Sequence, residues 1–154
     1  MSELEQLYQQ VILDHAKRRR GEGLITPEAG HVWGESHQHN PVCGDQIRLR
    51  VEIEDQTITK ISWEGDGCSI SMASASVLTE LAAGSSRGSL VELTDEFRTL
   101  MRSRGSLEGD EEVLGDAAAF AGVSKFPARV KCAMLAWVAA EQSLLDAGTG
   151  PARL

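Results

Sequence analysis

The sequence lacks the features that mark a membrane protein, a secreted protein or a nucleic-acid-binding protein. Its longest apolar stretches are far too short to span a bilayer. Its first residues are acidic and carry neither the cationic nor the apolar region of a signal peptide. Its formal net charge of −8 has the wrong sign for contact with a phosphate backbone. We therefore expect a cytoplasmic protein with no membrane and no nucleic acid among its partners.

Cysteine is also scarce, with three in 154 residues. An odd number cannot complete a disulfide framework, and cytoplasmic thiols are kept reduced. Free cysteines are most often small buried hydrophobic residues, so any other role needs a positive reason. The chain length suits one domain with a core of its own, and we expect a single domain over residues 1–154.

Residue periodicity predicts three strands in the first half of the chain. Apolar and charged residues alternate from 46 to 54, which indicates a half-buried strand. A second strand is predicted over 57–64 after a short turn, and a third over 31–39. Half-buried strands with short connections favour an antiparallel meander.

Helical spacing predicts a helix before these strands and several after them. The helices are predicted over 2–17, from 70 to 84 and from 127 to about 147, with an exposed helix near 90–104 and a short one over 115–124. Residues 85–89 have the composition of a linker, and residues 105–112 that of an acidic loop. The element order predicts an α+β fold, with helices packed on one face of a three-stranded antiparallel sheet.

The three cysteines lie near predicted element ends, where functional groups gather. Cys43 and Asp45 are two residues apart, so in an extended segment their side chains point the same way. Gly44 separates them, and glycines also flank Cys68. Together with Cys132 they form a plausible tetrahedral ligand set for zinc, although thiolates also suit iron–sulfur clusters. Spacing alone leaves zinc, a cluster and buried core cysteines all open.

Three runs of residues resemble the IscU/NifU N-terminal family of iron–sulfur cluster assembly proteins. They are Asn40-Pro41-Val42-Cys43-Gly44-Asp45, Gly65-Asp66-Gly67-Cys68-Ser69-Ile70-Ser71 and Val130-Lys131-Cys132. The resemblance covers nearly the whole chain in the expected order. Two features are similar to its SufU branch, which belongs to the SUF system. Lys131 stands where housekeeping scaffolds carry histidine, and the connection from Cys68 to Cys132 is longer, with an extra helical insertion around 85–112.

The resemblance implies that Cys43, Asp45, Cys68 and Cys132 bind zinc. It further implies that Cys43 is the catalytic residue, receiving persulfide sulfur from a cysteine desulfurase of the SufS type. The chain would then be a zinc-dependent sulfurtransferase that activates the desulfurase and supplies downstream SUF assembly proteins. On this hypothesis, docking of the partner detaches Cys43 from zinc and a partner side chain takes its place. Whether such an acceptor counts as an enzyme stays open.

Two alternatives remain for the same residues. One is a scaffold on which iron and sulfide form a transient [2Fe–2S] cluster, and Lys131 argues against it. The other is a structural zinc-binding interaction module. Arg129 and Lys131 are candidate contacts to a partner, with solvated cations at a helix start as the equal alternative. Loop or packing roles are expected for the histidines, because their spacing does not converge on the cysteines; these are His15, His31, His37 and His39.

Overall fold

A computed structural model of the chain describes residues 2–148, so residues 1 and 149–154 of the predicted domain lie outside the described residues. The sheet has the order β1 (Val32–His39), β2 (Gln46–Glu54), β3 (Thr57–Asp66) and is antiparallel throughout. The helices are α1 (Glu3–Arg18), α2 (Ser69–Ala82), α3 (Arg87–Arg102), α4 (Glu111–Leu114) and α5 (Pro127–Ala147). A 3₁₀ segment, Gly115–Lys125, precedes α5. This architecture confirms the predicted α+β fold.

The alternation in β2 divides the two faces of the sheet. Its apolar side chains are buried in the core beneath the helices: Ile47, Leu49, Val51 and Ile53. On the other face, Arg48 and Arg50 form ion pairs with Glu35 of β1 at 3.2 and 2.6 Å. Helix α5 crosses β1 so closely that a Cβ on Gly34 would lie 2.0 Å from the carbonyl oxygen of Ser143. Glycine at this position therefore lets the longest helix lie against the sheet. Among the described residues, no helix is long and apolar enough to cross a bilayer.

Helix α3 is less exposed than its composition predicts. It begins within the predicted linker, at Arg87, because Ser86 caps it by accepting the Ser89 N–H at 3.0 Å. The Phe97 ring is buried and stacks on Trp137 at a centroid distance of 4.4 Å, with Phe120 edge-on at 5.8 Å. The acidic residues on the other face of α3 are the reason that the sequence predicted an exposed helix. The helix is therefore part of the core.

Two shorter predictions also need correction. The predicted acidic loop 105–112 ends in α4, where the Asp110 carboxylate caps the helix by accepting the Glu112 N–H at 3.0 Å. The predicted short helix over 115–124 is the 3₁₀ segment. Ala117, Ala118, Ala119 and Phe120 are buried, and the segment packs against α1 and α3, so tertiary packing sets the tighter winding.

Replacing Phe97 with alanine tests whether α3 belongs to the core. We expect Phe97→Ala to lower the free energy of unfolding by about 3–5 kcal/mol, because it removes a ring packed against two aromatic neighbours. Urea unfolding measures the change. The exposed Val91 on the same helix provides the control, and Val91→Ala should cost no more than about 0.5 kcal/mol. Equal costs for the two variants would contradict this packing.

Candidate metal centre

The three cysteines meet at one end of the molecule, although they come from separate segments. Cys43 lies in the turn between β1 and β2, Cys68 occupies the N-cap position of α2, and Cys132 lies in the second turn of α5. All three are free thiols. The sequence expectation that they lie at element ends is thus correct.

The turn that carries Cys43 is closed by its own hydrogen bonds. The Asn40 N–H donates to the Asp45 carbonyl at 2.8 Å, and the Gly44 N–H donates to the Asn40 carbonyl at 2.8 Å. The Asn40 side chain also accepts the Val42 N–H at 3.1 Å. Gly44 has a φ of +78°, a conformation that glycine adopts without strain. The turn therefore holds Cys43 and Asp45 in fixed positions.

Ser74 fixes the position of Cys132 relative to Cys68. Its hydroxyl, fully buried, donates to the Ala133 carbonyl of α5 at 2.6 Å and accepts the Trp137 indole N–H at 2.9 Å. These bonds join α2, within two turns after Cys68, to α5 at the residue directly after Cys132 and about one turn further on. The register between the two helices thus brings both cysteines to the same end of the sheet.

The donor atoms of Cys43, Asp45 and Cys132 all lie within 4.8 Å of one another. The two sulfurs are 3.8 Å apart. Two sulfurs bound to one tetrahedral zinc at about 2.3 Å each stand about 3.8 Å from one another, so this pair fits the ion. Cys68 lies beside the group, with its backbone N–H donating to Asp45 at 3.3 Å. Three of the four predicted ligands are therefore clustered, and the fourth adjoins Asp45.

Asp45 is a buried carboxylate that is held as an anion. Burial alone raises the pKa of its carboxyl, but hydrogen bonds from Ser71 and the three thiols outweigh that effect and hold the pKa below its usual range. The Ser71 hydroxyl donates to one carboxylate oxygen, and the Cys68 N–H donates to the other. A Cβ on Gly67 would come within 2.9 Å of the carboxylate carbon, so glycine leaves the space that Asp45 fills.

Ser71 is a site residue that sequence reasoning missed. Its hydroxyl lies 3.6 Å from the Cys68 sulfur and is almost fully buried. The available signal was its spacing, because residues three apart at a helix start share one face. A serine hydroxyl in an apolar helix also requires a partner, and here that partner is Asp45.

The three thiols differ in their accessibility. Cys43 is exposed, whereas Cys132 is only 4% exposed. Burial, and then the neighbouring Cys68, Asp45 and Cys43, raise the pKa of the Cys132 thiol to about 12. In the metal-free protein, Cys132 is therefore a protonated, protected thiol beside an accessible one.

The two helices that begin at this end have no side-chain cap. Cys68 and Phe126 occupy the N-cap positions of α2 and α5 without forming a cap hydrogen bond. Helices α1, α3 and α4 are instead capped by the side chains of Ser2, Ser86 and Asp110. Uncapped helix N-termini carry partial positive charge and favour anions by about 0.3–1 kcal/mol. The thiol end is thus electrostatically suited to thiolates and a carboxylate.

The histidines lie apart from the cysteine group; His15 has the expected packing role and His31 the expected loop position, whereas two others lie in a strand. His15 is fully buried, 2.8 Å from the Ser76 hydroxyl and 2.9 Å from the Asp116 carboxylate. His31 lies 2.6 Å from the Glu52 carboxylate. His37 and His39 belong to strand β1 rather than to a loop. Among residues 2–148, no histidine shares a metal-competent group with a cysteine.

The cations beside Cys132 face solvent. Arg129 and Lys131 are both exposed, and neither has an ion-pair partner among the described residues. They flank the buried thiol on the surface of α5 rather than joining its ligand group. Their predicted role as partner contacts stays a prediction.

A sheet-and-helix domain with three thiols and one carboxylate at one end is the arrangement expected of an iron–sulfur cluster assembly protein. Residues 7–133 match the family model described as the NifU-like N terminal domain. The chain therefore belongs to this family of iron–sulfur cluster assembly proteins, as a SufU-type member.

Individual relatives agree with that assignment. The chain is 39% identical over 142 residues to the zinc-dependent sulfurtransferase SufU of Bacillus subtilis, covering 92% of this chain and 91% of the relative. It is 37% identical over 145 residues to the iron–sulfur cluster assembly scaffold protein IscU of Streptococcus pyogenes, covering 94% and 86%. The crystal structure of FiSufU from Fervidobacterium islandicum AW-1 has a TM-score of 0.77 at 31% identity, covering 90% of this chain and 96% of that one.

Alkylation of the metal-free protein should distinguish the thiols. With iodoacetamide near pH 8, we expect Cys43 to be modified first and Cys132 last, at a rate lower by about tenfold or more, because Cys43 is exposed whereas Cys132 is buried and the pKa of its thiol is raised. Peptide mass spectrometry at timed intervals measures the order. A urea-unfolded sample serves as the control, in which all three rates should converge. Faster labelling of Cys132 than of Cys43 in the folded protein would contradict the assigned burial.

Proposed function

We propose that this protein is a zinc-dependent sulfur acceptor that takes persulfide sulfur from a cysteine desulfurase of the SufS type. The observation that carries the proposal is the exposed Cys43 thiol, 3.8 Å from the buried Cys132 thiol and beside the Asp45 anion. The name of the Bacillus subtilis relative, a zinc-dependent sulfurtransferase, supports it. Acceptance of the sulfur would free the desulfurase for another turnover and so activate it.

The proposed ligands for zinc are Cys43, Asp45, Cys68 and Cys132. Three sulfur donors and one carboxylate match the donors and the coordination number that zinc prefers. When bound, zinc keeps such thiols deprotonated at neutral pH. The anionic Asp45 is ready to bind without losing a proton, because Ser71 and the Cys68 N–H already stabilise its charge.

Cys43 is the proposed nucleophile because it is the exposed member of the set. Its thiolate attacks the terminal sulfur of the persulfide on the desulfurase. A new S–S bond forms on Cys43 while the S–S bond of the partner breaks, and the partner's cysteine leaves as a thiolate. The transferred sulfur carries its proton or negative charge with it, so no external oxidant or reductant is needed.

Arg129 and Lys131 are proposed to contact the partner. Both are exposed cations on the helix that carries Cys132, and a persulfide anion approaching Cys43 would meet their positive potential. Downstream SUF assembly proteins are the proposed recipients of the sulfur.

A cluster scaffold is the second candidate, because the Streptococcus pyogenes relative is named a scaffold and the same thiols could hold iron. Metal analysis with visible absorption separates the candidates. Colourless protein with one zinc per chain supports the sulfur acceptor, and brown absorption after anaerobic reconstitution supports the scaffold. Zinc without any effect on a desulfurase would indicate a structural zinc module instead.

Removing the Ser71 hydroxyl should weaken zinc binding. We expect Ser71→Ala to lower the zinc affinity by about 10–100-fold, because Asp45 loses the donor that orients its carboxylate. Competition with a chromogenic chelator measures the affinity. Ser71→Thr keeps the hydroxyl and should retain most of it. An unchanged affinity in Ser71→Ala would show that this hydrogen bond does not position a ligand.

Replacing the proposed nucleophile tests the function itself. We expect Cys43→Ala to abolish stimulation of the cognate desulfurase. We also expect it to acquire no added sulfur atom, which mass spectrometry would detect as an increase in mass. Val91→Ala, on the exposed surface of α3, is the matched control and should stimulate normally. Continued stimulation and sulfur uptake by Cys43→Ala would refute the assignment.

A further inference from the structure

Two large apolar side chains stand exposed at the thiol end of the molecule. Val42 is 76% exposed and directly precedes Cys43. Phe126 is 59% exposed at the N-cap of α5. Two residues further on, the Ala128 carbonyl accepts a hydrogen bond from the Cys132 thiol at 3.7 Å. Both apolar groups therefore border the site without contributing a ligand.

The backbone holds both side chains outward. The Val42 N–H donates to the Asn40 side chain within the closed turn that carries Cys43. The Phe126 N–H donates to the Val123 carbonyl at 3.0 Å, and its own carbonyl accepts the Arg129 N–H at 2.9 Å. The backbone at both positions therefore loses little conformational freedom when a partner covers these side chains.

Phe126 is also an unusual residue for its position. Helix N-caps favour serine, threonine, aspartate and asparagine, whose side chains satisfy a free backbone N–H. Phe126 forms no such bond and leaves a large ring in solvent. Neither helix capping nor core packing accounts for this ring, whereas contact with another molecule would.

Cations flank Phe126 along the chain, in a protein whose net charge is −8. Lys125, Arg129 and Lys131 are all exposed, and none has an ion-pair partner within residues 2–148. The start of α5 thus carries unpaired positive charge beside Phe126, although the exposed Asp66 precedes Cys68 at the same end of the molecule. A partner that docks here should present carboxylates around an apolar cavity.

We propose that Val42 and Phe126 are the apolar anchors through which the desulfurase docks, and that its matching surface is an apolar pocket rimmed by carboxylates beside the persulfide cysteine. This inference rests on the proposed function, and it names the surface that recognises the partner. Central apolar anchors within a charged rim are the usual arrangement of a specific interface.

A second copy of this chain is a poorer occupant of the surface. In a two-fold dimer the same patch faces itself, so the three cations of one copy would oppose those of the other. Like charges across an interface disfavour association. Charge complementarity therefore favours an acidic partner over self-association.

Desulfurase stimulation, titrated against the concentration of zinc-loaded acceptor, tests the proposal. We expect Phe126→Ala to raise the half-saturating concentration about tenfold while the maximal stimulation stays unchanged, because docking is weakened and the chemistry is not. Phe126→Leu should recover much of the loss, and Val42→Ala should raise the value about threefold, in keeping with its smaller side chain. Leu145→Ala is the matched control, since Leu145 is 69% exposed near the far end of the same helix.

Each outcome bears on the proposal. Zinc content and thermal midpoint, measured for every variant, separate weak docking from misfolding. If Phe126→Ala and Leu145→Ala behave alike while wild-type protein stimulates, the docking surface is refuted and the proposed function stands. If the wild-type protein does not stimulate the desulfurase, both the docking surface and the proposed function are refuted. If sedimentation shows a wild-type dimer that Phe126→Ala dissociates without changing half-saturation, the occupant is a second copy and the proposal is overturned.

Discussion

The hydrogen bonds of Ser74 set the geometry on which the rest of the thiol end depends. Ser74 is fully buried between α2 and α5, where its hydroxyl must find partners because an unsatisfied polar group there is costly. The partners are the Ala133 carbonyl and the Trp137 indole, and they are available at only one register of the two helices. A slip of one residue would move Cys132 by about 1.5 Å along its helix and rotate it away from Cys43. The helix register that satisfies the buried Ser74 hydroxyl therefore also places Cys132 beside Cys43.

The sequence predicted the sheet well and the helical layer less well, for a physical reason. Strand β2 alternates because its apolar side chains face the core while Arg48 and Arg50 on the other face stay partly exposed; the buried Glu52, beside His31, is the exception. The buried stripe of α3 is interrupted by acids that face solvent, and its contacts with Trp137 and Phe120, distant in sequence, are what place Phe97 in the core. The 3₁₀ winding of residues 115–125 likewise depends on neighbours that are distant in sequence.

The sequence predicted which residues form the candidate site, but not how exposed each of them is. Glycine-flanked cysteines and the resemblance together named Cys43, Asp45, Cys68 and Cys132, yet no pattern could assign their different exposures. Those exposures follow from the elements that carry them, since a turn tip leaves Cys43 open and the second turn of a packed helix encloses Cys132. Ser71 was not predicted as a site residue because its role depends on the Asp45 carboxylate, 26 residues away in the chain.

The unequal thiols also determine how a metal ion would change the site. Without a metal ion, hydrogen bonds stabilise one anion, Asp45, while burial disfavours a second, since it raises the pKa of the Cys132 thiol to about 12. Three thiolates beside that carboxylate would repel one another strongly in a poorly solvated site. A divalent cation removes that repulsion, so metal binding here must be coupled to the release of thiol protons and must weaken as the pH falls. The buried Cys132 thiol therefore depends on a bound cation to lose its proton, whereas Cys43 is exposed on the turn that also carries the exposed Val42.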